Sequence, residues 1–327
     1  MPLRHARSTR AANASPIAVD VWRGLTARRK WLPARLFYDR RGSELFDAIT
    51  ELPEYYLTRV ERALLQRHAE GIVARAASGA TRPVRVVELG AGSGEKTKLL
   101  LQAFVARQGR TLYIPIDVSE GALRACALRL WHETPDVDVQ PLAMRHEEAL
   151  PAITSLGPRR LVLFIGSSIG NLGDAKATRL LASVRRCLAP GGALLLGADR
   201  VKPLSVLLPA YDDAAGVTAE FNKNVLVRIN RELGGRFELE RFAHEARWNA
   251  EASAIEMHLV SRGAQRVDIE ALELAVDFAD GESIHTESSA KYDDARIHGI
   301  IRAAGFVPEH DYLDERGWFG LHFCRVA

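Results

Sequence analysis

A short β-branched run that ends in a glycine-rich loop and then a helix, VVELGAGSGEKT over 86–97, constrains this chain more than any other feature. Gly90, Gly92 and Gly94 allow a sharp backbone turn and a close approach to a ligand. The same alternation then repeats. Apolar strands are expected at 84–89, 112–116, 137–142, 160–165 and 193–196, with helices at 96–105, 120–131 and 174–187 between them. The APGG run at 189–192 carries the turn chemistry that stops a helix. A β-loop-α repeat of this kind implies a mostly parallel, doubly wound α/β sheet.

Two cofactors use such a loop. Dinucleotides favour G-x-G-x-x-G, with the third glycine close to helix and pyrophosphate. Here that place is held by Glu95 and the spacing is G-x-G-x-G. S-adenosylmethionine has no pyrophosphate, and its sulfonium and amino group are cationic, so an acid such as Glu88 beside the loop is tolerated. Asp117 ends the next strand, where a carboxylate accepts from ribose hydroxyls. Loop, Asp117 and the LAPGG turn together point to S-adenosylmethionine; the competing reading is a glycine-rich turn without a ligand.

Beyond residue 200 the rhythm changes. Residues 204–233 read as one long helical stretch, and 241–248, 254–261 and 265–272 as antiparallel strands; IEMHLVSR at 255–262 alternates as a half-exposed strand does. A helix at 296–304, stopped by Gly305, and a strand at 319–325 close the chain. The expected organisation is therefore a basic disordered tail over 1–15, a helical part over 16–60, a methyltransferase domain over 61–200 and 290–327, and an α+β insertion over 201–289. A net charge of +3 with no basic, aromatic-interleaved stripe argues against nucleic acid. No apolar run reaches membrane-spanning length. Cys126, Cys187 and Cys324 lie far apart, with no metal-ligand spacing, so reduced thiols in a cytoplasmic setting and no metal are expected.

The chain resembles the histidine N-alpha-methyltransferases of ergothioneine biosynthesis from about residue 31 onward. The resemblance rests on LFYDRRGSELFDAITELPEYYLTRVE, VVELGAGSGEKTKLLL, YIPIDVS, FIGSSIGNL, AYDDAAGVTAEFNKNVLVRINREL, IEMHLVSR and HTESSAKY. It implies a Rossmann-like class I methyltransferase sheet with an inserted substrate-binding domain. It further implies that Gly90, Lys96 and Asp117 hold S-adenosylmethionine, with Gly92, Gly94 and Glu88 completing the loop. Tyr55, Gly166, Asn171 and Tyr211 would hold the amino acid's amine and carboxylate, with Tyr55 as catalytic residue. Glu287 and Ser289 would read the imidazole, and Tyr38 and Met257 would line the same pocket. One segment departs from the pattern. In LAMRHEE, Met144 and Arg145 stand where the family carries an acid and an aromatic near the adenine, with Glu147 or Glu148 as substitutes through a shifted loop.

Methyl transfer from a sulfonium is an in-line displacement that mainly requires alignment. The α-ammonium must first lose a proton, because the cation has no lone pair. Asn171 offers a donor and an acceptor to a carboxylate or amine; it also suits a plain turn cap. Tyr55, Tyr56 and Tyr211 suit either a core or a face for a growing methylammonium. Glu287, among Thr286, Ser288 and Ser289, suits a turn equally well, and His285 and Lys291 read as surface residues. Three functions follow: histidine Nα-methylation, N-methylation of another amino acid or small amine, and cofactor binding without turnover. The expected partner is a small amino acid, taken up by a monomer.

Overall fold

The computed structural model describes residues 15, 17–155 and 159–326. The tail expected over 1–15 lies outside them, Ser15 excepted. In chain order the protein forms α1 (Ala18–Leu25), α2 (Arg40–Glu51), α3 (Tyr56–Ala76), β1 (Arg85–Leu89), α4 (Thr97–Gln108), β2 (Thr111–Asp117), α5 (Glu120–Glu133), β3 (Val137–Val139), β4 (Leu142–Ala143), α6 (His146–Ser155), β5 (Arg160–Phe164), α7 (Asp174–Cys187) and β6 (Ala193–Asp199). Next come α8 (Leu204–Leu207), α9 (Val217–Leu233), β7 (Phe242–Asn249), β8 (Ala254–Ser261), β9 (Gln265–Ile269), β10 (Leu274–Phe278) and β11 (Ser283–Ala290). The chain closes with α10 (Asp294–Ala303), β12 (Phe306–Leu313) and β13 (Phe319–Val326). It divides into two units, Met1–Tyr55 with Pro203–Ser288 and Tyr56–Lys202 with Ser289–Ala327.

The second unit holds an eight-stranded sheet in the order β12-β13-β6-β5-β1-β2-β3, with β4 also on β2. Strands β3, β2, β1, β5 and β6 run parallel, while β13 and β12 add antiparallel. Both faces of the central strands are buried: Val86, Val87, Val162, Leu163, Leu194 and Leu195 have no solvent exposure. That is why these segments read as continuous apolar runs rather than alternating ones. Leu65 and Ile72 of α3 and Leu100 and Phe104 of α4 pack in one cluster with Val86, Leu161 and Leu195. The strand order reverses between β1 and β5, so the crevice at their carboxyl ends is the natural ligand position.

The first unit packs α9 against β7 and β8. Asn222 of α9 is fully buried; its amide nitrogen donates to the His258 carbonyl (3.1 Å) and its oxygen accepts from Thr286 (2.7 Å). Asp39 caps α2 through the Gly42 amide (2.8 Å) and accepts from Asn224 and Arg231 of α9.

Several expectations need correction. The helical stretch over 204–233 is two helices. Asp213 accepts from the amides of Val217 and Thr218 (3.0 and 2.7 Å), and Gly216 has φ 76°, so a new helix starts there. The strand expected over 137–142 is two short pieces. Helix α6 was not expected, since Pro151 masks it in the sequence. Strand β12 carries Pro308 and the exposed polar residues Glu309 and His310, as an edge strand does. Strand β11, SIHTESSA, is poor in the residues that advertise a strand.

Gly197 of β6 shows how tightly this sheet is covered. A Cβ there would lie 2.5 Å from Glu61 Oε1 and 3.1 Å from the Ile165 Cα. Gly197→Ala is therefore expected to destabilise the protein by about 1–3 kcal/mol, through overpacking against backbone and a buried carboxylate. Denaturant unfolding checks this; an unchanged midpoint would contradict it.

Candidate active site

Loop Gly90–Gly94 leaves the carboxyl end of β1, and all three glycines have positive φ (72°, 52° and 65°), a conformation that side chains rarely adopt. Around Gly92 a Cβ would meet nothing within 4 Å, so the loop leaves open space on that side. At Gly94 a Cβ would lie 2.5 Å from Cys126 Sγ, which explains the third glycine by packing on α5. Asp117 ends β2 and accepts from the amides of Gly92 and Ser119, each at 2.9 Å. It is half-buried, and a carboxylate that already accepts two hydrogen bonds retains capacity for hydroxyl donors.

Glu88 lies elsewhere than the sequence suggests. It is buried at 2% exposure and accepts from Thr97 Oγ1 (2.7 Å) and from the Tyr113 hydroxyl. It thus braces the loop from within, joining β1, β2 and the start of α4. Burial pushes its carboxyl up to about 7, against the opposing effect of the Tyr113 and Thr97 hydrogen bonds.

Lys96 and Gly166 are brought together by a residue that sequence reasoning missed. Glu61 of α3 is fully buried; it pairs with the Lys96 ammonium and accepts from the Gly166 amide at 2.7 Å. Its place at 61, in a helix rich in charge, carries no signal that it faces inward. After Gly166 (φ 76°) comes Ser167 at φ 56°, a second left-handed residue, which costs strain and is held by Asp199, whose amide donates to Ser167 Oγ at 3.0 Å. Asn171 ends the short 3₁₀ turn that follows and is exposed. Gly170 beside it packs on the Ala290 backbone and near Ser289 Oγ.

Met144 donates its amide to the Asp117 carbonyl (3.0 Å), while Arg145 is exposed and pairs with Glu148 at 2.7 Å. The side chain that this segment brings to the loop is His146, also missed in the sequence. A Cβ on Gly90 would lie 3.6 Å from His146 Nε2, and the His146 ring stands edge-on to Phe164 at 5.7 Å. Burial holds its pKa below the usual histidine value, so it is a neutral donor and acceptor at pH 7.

In the first unit, Tyr38, Tyr55 and Tyr211 join one aromatic cluster. Tyr38 meets Phe46 and Phe221, each at 5.9 Å; Tyr55 meets Phe46 at 6.2 Å and Tyr211 at 6.5 Å. Met257 is buried on β8, and its carbonyl accepts from Thr286 at 2.9 Å.

Glu287 and Ser289 lie on strand β11, not in a turn. Lys291, expected at the surface, is fully buried; it donates to Ser289 Oγ at 2.9 Å and pairs with Asp199 at 2.8 Å. Asp199 also accepts from the Tyr56 hydroxyl (2.7 Å) and from Lys202 (2.6 Å). Burial pushes the Lys202 ammonium down to about 8, although the Asp199 carboxylate opposes this. His285 is half-buried, with Nε2 3.0 Å from the Ser288 hydroxyl.

The raised Glu88 pKa has a consequence for stability. The folded protein binds this proton more tightly than the unfolded chain, whose value is near 4.5. The stabilisation it carries is complete below about pH 4.5 and is lost as pH rises through about 7. Relative to Glu88→Gln, the wild type is expected to lose up to about 3 kcal/mol across that window. Parallel stability profiles of the two proteins over pH 4.5–7 would show that the proton is not bound this way.

The family described as "Histidine-specific methyltransferase, SAM-dependent" matches residues 17–326. A Histidine N-alpha-methyltransferase of Mycolicibacterium smegmatis is 45% identical, over 94% of this chain and 94% of that one. One from Mycobacterium tuberculosis is 44% identical over 92% of each. Ergothioneine biosynthesis protein 1 of Schizosaccharomyces pombe is 32% identical over 63% of this chain and 27% of that protein. With a parallel sheet that reverses order beside a glycine loop, and a match along nearly its whole length, the chain belongs to the histidine-specific, S-adenosylmethionine-dependent methyltransferase family.

Proposed function

We propose that this chain methylates the α-amine of L-histidine with S-adenosylmethionine, up to Nα-trimethylhistidine (hercynine), as the first step of ergothioneine biosynthesis. The observation that carries this reading is the match to relatives named for histidine N-alpha-methylation across both units of the chain. The open space beside Gly92 and the half-buried Asp117 carboxylate fit the cofactor's ribose side. Gly90, Gly92, Gly94, Lys96 and Asp117 would hold it, Glu88 would brace them, and the segment of Met144 and Arg145 would contribute through His146. S-adenosylmethionine supplies an electrophilic methyl group on its sulfonium.

The protein's own part is binding, orientation and handling of one proton. Asn171 and Gly166 would take the amino acid's carboxylate and amine ends, together with Tyr55 and Tyr211. The Tyr55 hydroxyl would orient the amine and take part in its proton loss, and aromatic faces suit the methylammonium that grows there. Tyr38 and Met257 would close the apolar sides. Glu287 accepts from one imidazole N–H. Ser289 Oγ accepts from the buried Lys291 ammonium, which favours turning its own O–H outward as a donor. An acceptor and a donor two residues apart on one strand match a neutral imidazole, which has one N–H and one lone pair. The three cysteines are free thiols, which suits a cytoplasmic monomer working on a small molecule. Among the described residues no helix is long and apolar enough to cross a membrane.

Two measurements test this. Calorimetry is expected to show S-adenosylhomocysteine binding and no NADH binding, and Gly92→Val is expected to abolish the former by filling the cradle; the reverse preference would sink the cofactor assignment. Catalytic efficiency on histidine is expected to exceed that on phenylalanine by a factor of up to about 10⁴, because the site's polar groups go unpaired with an apolar ring. Glu287→Ala is expected to remove most of that preference. A wild type indifferent between the two amino acids would point to N-methylation of another substrate.

A further inference from the structure

Three residues far apart in sequence converge at the edge of the large sheet. His298 lies on α10, Asp311 on β12 and His322 on β13. Asp311 and His322 are direct partners in the antiparallel register, so their side chains share one face. The register of β12 shifts between Pro308 and His310, just before Asp311, and such a bulge re-aims the side chains that follow it.

The geometry is that of a shared centre. Asp311 meets His322 Nδ1 with one carboxylate oxygen and His298 Nε2 with the other, both at 2.8 Å. One nitrogen or oxygen from each of the three residues lies within 4.8 Å of the other two. The two rings stand at 85° to each other with centroids 5.6 Å apart. Gly320 makes room for this: a Cβ there would lie 2.8 Å from His322 Nε2.

A second observation concerns His298. Its Nε2 is buried and makes no hydrogen bond, although a carboxylate oxygen stands at 2.8 Å. The nitrogen is close to Asp311 but is not aligned on it. Two ligands of one ion show this relation, whereas His322 Nδ1 is hydrogen-bonded to the other Asp311 oxygen, a bond that a bound ion would replace. His322 is fully buried, whereas the side chains of His298 and Asp311 keep 20% and 26% exposure. The centre is therefore open to solvent on one side. Arg200, the cation that acts on Asp311, is itself paired with Asp294, so its charge is largely neutralised.

We propose that His298, Asp311 and His322 form a binding site for a divalent transition ion of the zinc class. Two imidazoles and a carboxylate suit zinc, cobalt or nickel rather than calcium or magnesium, which take oxygen sets. Water fills the open side as a further ligand. Both imidazoles bind in their neutral form, with the proton on the nitrogen that faces away from the ion. The ion clasps α10 to β12 and β13, the last elements of the chain. Strand β12 lies four strands from β1 in the sheet order, roughly 19 Å away at the usual spacing, so the ion stands apart from the cofactor loop. The three positions are separated by 13 and 11 residues, which is no recognised ligand spacing; only the sheet register brings them together.

The test uses the full chain without an affinity tag, stripped with a chelator and titrated with Co²⁺ and then Zn²⁺. One equivalent of Co²⁺ is expected to give visible d–d absorption, which Zn²⁺ displaces. Zn²⁺ at about 100 times its Kd is expected to raise Tm by roughly 5 °C. His298→Ala, at a helix position whose side chain keeps 20% exposure, is expected to lose both signals while it still binds S-adenosylhomocysteine and methylates histidine. Asp311→Asn is expected to do the same, and His298→Gln covers any loss of packing. No saturable Co²⁺ signal in the wild type, or an undiminished signal in His298→Ala, would overturn the site and leave a hydrogen-bonded His–Asp–His cluster in its place.

Discussion

The second unit depends on one buried carboxylate. Asp199 ends β6 and accepts from Tyr56, Lys202 and Lys291, all of them buried. Tyr56 is the first residue of that unit, Lys202 the last before the chain leaves it, and Lys291 one of the first after its return. A single charge thus ties all three passages of the chain. Two ammonium groups beside one carboxylate, out of water, are tolerated only because each is also hydrogen-bonded. Lys202 reaches the Tyr56 hydroxyl and the Arg200 carbonyl, and Lys291 reaches Ser289. Burial lowers the Lys202 pKa, while the carboxyl of Asp199 stays below its ordinary range because both ammoniums outweigh its own desolvation. Taking away Asp199 leaves two buried ammonium groups without their counter-charge, typically a loss of about 3–5 kcal/mol.

The same carboxylate connects scaffold to chemistry. Its backbone amide holds Ser167 in a left-handed conformation next to Gly166, and Gly166 donates to Glu61, which pairs with Lys96. The loop after β5 and the start of α4 are therefore positioned by buried polar groups rather than by apolar packing. Polar networks of this kind give a defined geometry when every member is satisfied.

What could be read from the sequence follows from where each signal comes from. The parallel core strands announce themselves as apolar runs because both faces are covered, and the loop 90–94 because glycine is needed for its backbone. The edge strand β12 gave no such signal because Pro308 and the polar run Glu309, His310 and Asp311 interrupt its apolar residues, and strand β11 gave none because its residues are mostly polar. Charged residues were hardest. Lys291 and Glu61 look like surface groups because nothing local shows the partner that neutralises them; Asp199 is 92 residues from Lys291, and Lys96 is 35 from Glu61. His146 carries no local signal that its ring stands against Gly90.

The bond from Lys291 to Ser289 gives that serine a duty to the scaffold. Ser289 is an acceptor for a fully buried ammonium, so an apolar replacement there leaves that ammonium one partner short inside the protein. Glu287, two residues earlier, is half-buried. A lineage that drifts towards a different amino-acid side chain is thus held at residue 289 by the protein's own charge balance. The serine would persist as an inherited feature of the scaffold whichever side chain the protein came to read.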